Sequence, residues 1–311
     1  MSEEFPTPQL LNELEEGPSN TPFGRVLKDI FAGTMGGVAQ VLVGQPFDTT
    51  KVRLQTAKTK VGVVEVVQSL LRNEGPLAFY KGMLTPLLGV GVCVSVQFGV
   101  NESMKRFFAA YNRNVDGNGS HRPLPLHQYY LCGLTGGVVN SFLAAPIEHV
   151  RIRLQTQTTV GSKREYLGPL DCIKKLIKAK AIMRGLLPTM LRAGHGLGTY
   201  FAAYEALVVK ENTKGIARNE IPAWKLCTFG ALSGTILWLS VYPIDVIKSV
   251  IQTDNVQNPK HKNSMIRVAR YLYAQHGLSS FFKGFVPTMM RAAPANAATF
   301  VSFELTMRLL G

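Results

Sequence analysis

Three places in the chain set a carboxylate two residues after a proline and a cation three residues beyond that: Pro46-Phe-Asp48-Thr-Thr-Lys51, Pro146-Ile-Glu148-His-Val-Arg151 and Pro243-Ile-Asp245-Val-Ile-Lys248. On a helix, a carboxylate and a cation three apart share one face. Proline removes a backbone hydrogen bond and crowds the preceding turn, so each pair sits at a kink. Nothing in these residues suggests bond-making chemistry. Three pairs of opposite sign around a common axis would instead close into a ring of ion pairs, which can be made and broken. Charges near a bilayer are tolerated where they face each other or a cavity, and alternating sign meets that demand. The plainer reading is three interfacial ion pairs on separate helices; the threefold recurrence argues against it.

The recurrence reaches beyond the motif. Each motif runs on to a glutamine (Gln55, Gln155, Gln252), and the three prolines lie 100 and 97 residues apart. Upstream come glycine pairs four apart: Gly33/Gly37, Gly133/Gly137 and Gly230/Gly234. Downstream come Tyr80-Lys81-Gly82, Met183-Arg184-Gly185 and Phe282-Lys283-Gly284, each followed by a proline, at Pro86, Pro188 and Pro287. Fixed-period similarity marks a repeat architecture. The chain therefore divides into an acidic arm over 1–22 and repeats over 23–113, 121–214 and 220–311.

The elements that must carry these residues follow from the uncharged runs. These cover 30–47, 82–101, 123–147 and 226–244, with shorter ones at 193–204 and 292–303. About 20 apolar residues cross a bilayer as a helix, so two spans per repeat, six in all, are expected. Between them, 61–72, 170–178 and 266–276 show helical spacing with one apolar face, as in Val63, Val66, Val67, Leu70 and Leu71. Beside two spans such a segment reads as a helix lying along the interface. Glycines four apart let helix backbones approach in lipid, which gives the six glycines a packing role.

Composition supports this reading from another side. The 311 residues carry 34 Lys+Arg against 20 Asp+Glu, a formal charge of +14, and the mean hydropathy is +0.09. Five of the acids lie in the first twenty residues, which have no Lys or Arg, so the remainder carries +19. A basic chain suits nucleic acid or anionic lipid. A soluble basic helical-repeat protein binding nucleic acid is the alternative from another class, and the long uncharged runs weigh against it. The acidic N-terminus is the reverse of a transit peptide and has no apolar signal core, so no cleavable presequence is expected. Four cysteines form no CxxC pair and the histidines share no ligand spacing, so neither metal nor redox cofactor is expected. No phosphate-cradling glycine loop is present, and no enzyme activity is expected.

Three copies of this signature resemble the mitochondrial carrier family over residues 25–310. That resemblance implies an all-α membrane protein of three tandem repeats of about 100 residues. Six tilted transmembrane helices would form a threefold pseudosymmetric barrel with three matrix-side surface helices. Both termini would face the intermembrane space of the inner mitochondrial membrane. It also implies a monomer with a central site opening alternately to either side. Asp48 would pair with Arg151, Glu148 with Lys248 and Asp245 with Lys51 to close a matrix gate. The family's opposite gate is degraded here: Glu102 and Lys105 keep a charge pair, whereas Glu205 and Glu304 have lost the cation three residues on.

Exposed N–H groups at a helix start, beside a basic side chain, suit a phosphate. By resemblance, Lys81-Gly82, Arg184-Gly185 and Lys283-Gly284, with Gly168 as a partner half-site, would bind cardiolipin. The family holds substrate midway along the even-numbered helices. Counting thirteen residues back from Glu102, Glu205 and Glu304 gives Gly89, Arg192 and Arg291. An intramembrane arginine is a functional hypothesis by default, and its fork suits a carboxylate. Arg291-Ala-Ala-Pro-Ala-Asn296 looks closest to the carnitine/acylcarnitine, ornithine and basic-amino-acid branch, with a yeast amino-acid-type carrier as the other reading. That branch has an acid where this chain has Ala193, which puts carnitine, ornithine and arginine in doubt. His195, one turn past Arg192, is a candidate to bond a polar group or carry a proton. The expected function is secondary transport of a small carboxylate-bearing metabolite, glutamate- or glycine-like, by alternating access, with carnitine/acylcarnitine or ornithine/arginine exchange as the alternative.

Overall fold

The computed structural model describes residues 23–57, 61–116, 124–157, 165–215 and 220–310. The acidic arm expected over 1–22 lies outside them. One order of elements occurs three times: a long helix, a short helix, a long helix. These are α1 (Phe23–Thr56), α2 (Val63–Asn73) and α3 (Leu84–Asp116); α4 (Leu126–Thr156), α5 (Pro169–Lys178) and α6 (Leu186–Asn212); α7 (Ala223–Thr253), α8 (Met265–His276) and α9 (Phe285–Leu310). Short 3-10 segments, Pro76–Tyr80 and Gly277–Phe282, precede α3 and α9. There is no strand among the described residues.

The expectation of six transmembrane helices in a threefold barrel is corrected by this structure. Among the described residues, only α4 and α7 are both long and apolar enough to cross a bilayer. A third span arises if Pro76–Leu87 and Gly91–Arg113, bent by 49° against each other, count as one. Length is not what the other helices lack, since α1 has 34 residues and α9 has 26. Their polar content is the reason. Helix α1 buries Gln40, Gln45, Asp48, Thr49, Thr50, Lys51 and Gln55, and α6 buries Arg192 and Glu205. Polar groups placed against protein dilute the apolar stretch that a bilayer requires.

The short helices form as the one-faced pattern predicts. Each docks through two residues four apart: Val66 and Leu70 of α2, Cys172 and Leu176 of α5, Val268 and Leu272 of α8. Their partners sit near the C-terminal end of the preceding long helix, for example Leu54 for α2, Val150 and Leu154 for α5, and Val246 and Ile251 for α8. Val64 and Leu71 of α2 stay exposed. Docking braces the stretch of each long helix that follows the motif proline, Pro46, Pro146 or Pro243.

Among the long helices, α4 packs along α6, α9 along α1, α3 along α4 and α6 along α7, and α1, α4 and α7 meet pairwise. Glycine makes one of these contacts closer than a side chain would allow. A Cβ on Gly133 would lie 2.6 Å from the Leu197 backbone, and one on Gly137 would lie 2.4 Å from the Ala193 carbonyl. The same substitution at Gly33, Gly37 or Gly234 would meet nothing within 4 Å. The packing role expected of the glycine pairs is thus seen at Gly133 and Gly137, and not at those three.

Candidate functional site

The three kink motifs converge where α1, α4 and α7 meet. Arg151 Nη2 lies 2.8 Å from Asp48 Oδ2, Lys51 Nζ lies 2.9 Å from Asp245 Oδ2, and Lys248 Nζ bonds Glu148 Oε2. Every pair joins two different repeats, and all six side chains are buried. The ring leaves a cavity of about 40 Å³ between its members. That admits a water or so, whereas small-molecule pockets run to hundreds of Å³. No metabolite passes here in this conformation.

Each carboxylate of the ring has a second oxygen, and an arginine from another helix approaches it. Arg192 of α6 donates from Nη2 to Glu148 Oε1 at 2.8 Å, and its Nε lies 3.7 Å from Asp245 Oδ1. Arg291 of α9 places Nε 3.4 Å from Asp48 Oδ1. Among the described residues, five cations therefore face three carboxylates in one buried cluster. Taking charge out of water is costly unless it is compensated, and these eight side chains carry an excess of two positive charges.

Several supports of the ring escaped the sequence reading. Gln55 donates to Asp245 Oδ2 at 2.8 Å and accepts from Ser249 Oγ at 2.7 Å. Gln45 accepts from Arg151 at 2.7 Å and donates to the Lys81 carbonyl at 3.0 Å. Lys51 sits over the Trp238 ring, 4.5 Å from its centroid. The signal for Gln55 was available, since a glutamine ends all three motifs. Gln45 and Trp238 recur in no register, so nothing marked them.

Gly82, Gly185 and Gly284 have φ of +76°, +83° and +81°, a region side chains avoid. A Cβ on Gly82 would lie 2.9 Å from the Arg151 carbonyl, on Gly185 2.7 Å from Gln252 Cγ, and on Gly284 3.0 Å from the Lys51 carbonyl. Each glycine thus seats the start of α3, α6 or α9 against the motif segment of the following repeat, cyclically. The basic residues before them differ from one another. Lys81 bonds Glu74 and the Gln157 carbonyl. Arg184 donates to the carbonyls of Asp254, Asn255 and Val256. Lys283 and Gly284 line a cavity of about 430 Å³ shared with Val61, Gly62 and Val63 at the start of α2. Gly168 caps α5 with open space around it.

The remaining expected site residues are scattered. Gly89 is buried, with Ile147 Cδ1 2.7 Å from where its Cβ would stand. Ala193 is buried in the contact with Gly137. His195 Nδ1 meets the Tyr130 hydroxyl at 2.9 Å, so it faces α4 rather than the arginine cluster. Asn296 is exposed on α9. At the other end of the helices, Glu102 and Lys105 pair within α3 at 2.9 Å, Lys105 lies 5.8 Å from the Phe201 ring centroid, and Glu205 is buried. The Glu304 side chain lies outside the described residues.

Comparison with known proteins follows the same three segments. The family model for mitochondrial carrier proteins matches residues 24–112, 122–212 and 219–311. The chain belongs to the mitochondrial carrier family. A carrier of this family is a multi-pass inner-membrane transporter and not an enzyme. Over 313 residues, with both chains fully covered, it is 66% identical to the "Mitochondrial glycine transporter YMC1" of Saccharomyces cerevisiae. It is 49% identical to the "Glutamate/glycine mitochondrial carrier ymc1" of Schizosaccharomyces pombe, over 89% of this chain and 92% of that one. Identity to the Arabidopsis thaliana "Mitochondrial carnitine/acylcarnitine carrier-like protein" is 35%, over 91% and 98%. Of the two readings the sequence left, the yeast amino-acid-type carrier is the one supported: this chain is more similar to the yeast glycine and glutamate/glycine proteins than to the carnitine protein, and the carnitine/ornithine branch is not clearly its own.

Proposed function

We propose that this carrier moves a small α-amino acid, glycine or glutamate, across the inner mitochondrial membrane by alternating access. One observation carries the reading: five buried cations face three carboxylates, and the two arginines on α6 and α9 supply the excess. The carboxylate of a substrate is attracted to that excess, and a guanidinium fork is the side chain best shaped to hold it. The stated substrates of the two yeast relatives support the choice. In this role Asp48, Lys51, Glu148, Arg151, Asp245 and Lys248 form the matrix gate. It is closed here, and its pairs must part in every cycle. A ligand shifts such an equilibrium only by binding the two states differently. Glu102, Lys105, Glu205 and Glu304 form a weak opposing gate, and both termini face the intermembrane space.

The phosphate of an anionic lipid such as cardiolipin has room between the starts of α2 and α9, in the cavity of about 430 Å³ that Gly62, Lys283 and Gly284 line.

The test is uptake into liposomes across a panel of amino acids, carnitines and keto acids. Saturable uptake of glycine or glutamate is expected, with Arg192→Ala and Arg291→Ala each reducing it to background while still inserting. Full activity in either variant removes that residue from the site.

A further inference from the structure

An α-amino acid brings an ammonium as well as a carboxylate, and the arginines can take only the latter. The position next to Arg192 is Ala193, which offers no acid. An anion does stand within reach of that arginine. Glu148 turns Oε1 toward Arg192 Nη2 at 2.8 Å and Oε2 toward Lys248, with both side chains 2% exposed in the Arg192 pair. We propose that the substrate binds by inserting into the Arg192–Glu148 pair. Its α-carboxylate replaces Glu148 Oε1 on the Arg192 guanidinium, and its α-ammonium takes up Glu148 Oε1. This rests on the reading above that the cargo is an amino acid, and it adds the group that reads the amino end.

The geometry explains why one residue serves both purposes. A zwitterion inserted between a guanidinium and a carboxylate leaves the number of opposite-sign contacts unchanged or raised, so buried charge stays compensated. A carboxylate without an ammonium would take Arg192 and leave Glu148 Oε1 facing a second anion. The chain thus rejects des-amino analogues through a gate residue rather than through a separate acidic side chain. Insertion also draws Glu148 away from Lys248, so recognition of the ammonium loosens one of the three pairs that hold the gate closed. Asp48 and Arg291 form the parallel arrangement in the first and third repeats, with a looser 3.4 Å approach. That looser arginine suits the side-chain carboxylate of glutamate.

The experiment measures ligand-dependent thermal stabilisation of the purified full-length carrier in lipid-detergent micelles. Glycine is compared with acetate, and glutamate with glutarate. The wild type is expected to need at least tenfold less amino acid than des-amino analogue for the same stabilisation. Glu148→Gln should bring the two within threefold, by weakening the amino acid and not the analogue. Lys248→Gln breaks the same gate pair from its other side and should keep the tenfold preference. Retained analogue binding shows that Glu148→Gln is folded; if that variant binds nothing, Glu148→Asp, which keeps the anion, must restore the preference or the proposal fails. A preserved tenfold preference in Glu148→Gln, or its loss in Lys248→Gln, overturns the inference while leaving amino-acid transport intact. Absence of stabilisation of the wild type by any amino acid would instead overturn the functional reading beneath it.

Discussion

The second repeat is built differently from the first and third, although the three share the same glycine spacing. In the second, α4 and α6 lie backbone to backbone, with Gly133 and Gly137 against Leu197 and Ala193, and Gly194 and Gly198 against Leu134 and Tyr130. In the third, α7 and α9 scarcely touch, and around Gly234 there is open space. The difference lies in the partner helix. Counting back eleven and seven residues from Glu205 gives Gly194 and Gly198; from Glu102 it gives Gly91 and Ser95, and from Glu304, Ala293 and Ala297. A small-residue stripe closes an interface only when the facing helix is equally bare. The second repeat therefore holds its pair as one unit, while the pairs of the first and third are freer to part.

Breaking that unit is expected to give the largest effect. Gly137→Ala places a methyl 2.4 Å from the Ala193 carbonyl, and overpacking of this kind costs about 1–3 kcal/mol. Thermal unfolding in lipid-detergent micelles should fall accordingly. Gly37→Ala, which meets nothing, should stay within about 0.5 kcal/mol of wild type. Equal losses at the two positions would remove the distinction between the repeats.

A middle-sized effect sharpens the comparison from the opposite side, where the repeats are alike. Gly82→Ala, Gly185→Ala and Gly284→Ala each force a side chain into the left-handed region, at about 1–2 kcal/mol. Gly82 and Gly284 also face backbone carbonyls, and Gly185 faces Cγ of the fully buried Gln252 at 2.7 Å. All three variants should therefore unfold at lower temperature than wild type, by similar amounts.

The smallest effect depends on acidity and belongs to the first repeat. Arg53 clamps Glu74 with two hydrogen bonds, at 2.8 and 3.0 Å, and Lys81 bonds the same carboxylate. Burial pushes the Glu74 carboxyl up, but the bonds from Arg53 and Lys81 outweigh it and hold it below the ordinary 4.5. Its contribution is thus complete above pH 4.5 and is lost as the pH falls through the lower folded value. The second repeat has Arg153 bonded to His149 and the Asp254 carbonyl instead, and the third has Val250 at that position. Glu74→Gln should lower the unfolding temperature at neutral pH, and the gap to wild type should shrink on acidification below 4.5. A gap that stays constant would show that this carboxylate is not the group being titrated.

Much of the site could be read from residue order alone. Motif recurrence singled out the six ring residues, because chance does not repeat in register, whereas Arg192 and Arg291 came from the resemblance to the carrier family, which sets substrate thirteen residues before the even-helix glutamates. Hydropathy was less informative. It counts residues, whereas spanning depends on which side chains face protein, and the buried glutamines and threonines of α1 look the same in a sequence either way. Asn296, five residues past Arg291, falls on another face of α9 and is exposed. His195 shares a face with Arg192, yet its ring meets Tyr130 of α4, because a face does not fix which neighbouring helix a side chain bonds.

By itself the sequence determined the repeat unit, the kinked motifs and the charge types that meet in the ring, since these depend on spacing and composition. Only the tertiary structure decided that each ring carboxylate is shared, with one oxygen on a gate cation and the other on an arginine from α6 or α9. It alone also decided that Gly133 and Gly137 are closed against a neighbouring backbone while Gly33, Gly37 and Gly234 are open. Both facts depend on which helix lies opposite, and the order of residues along one strand of chain does not contain its neighbour.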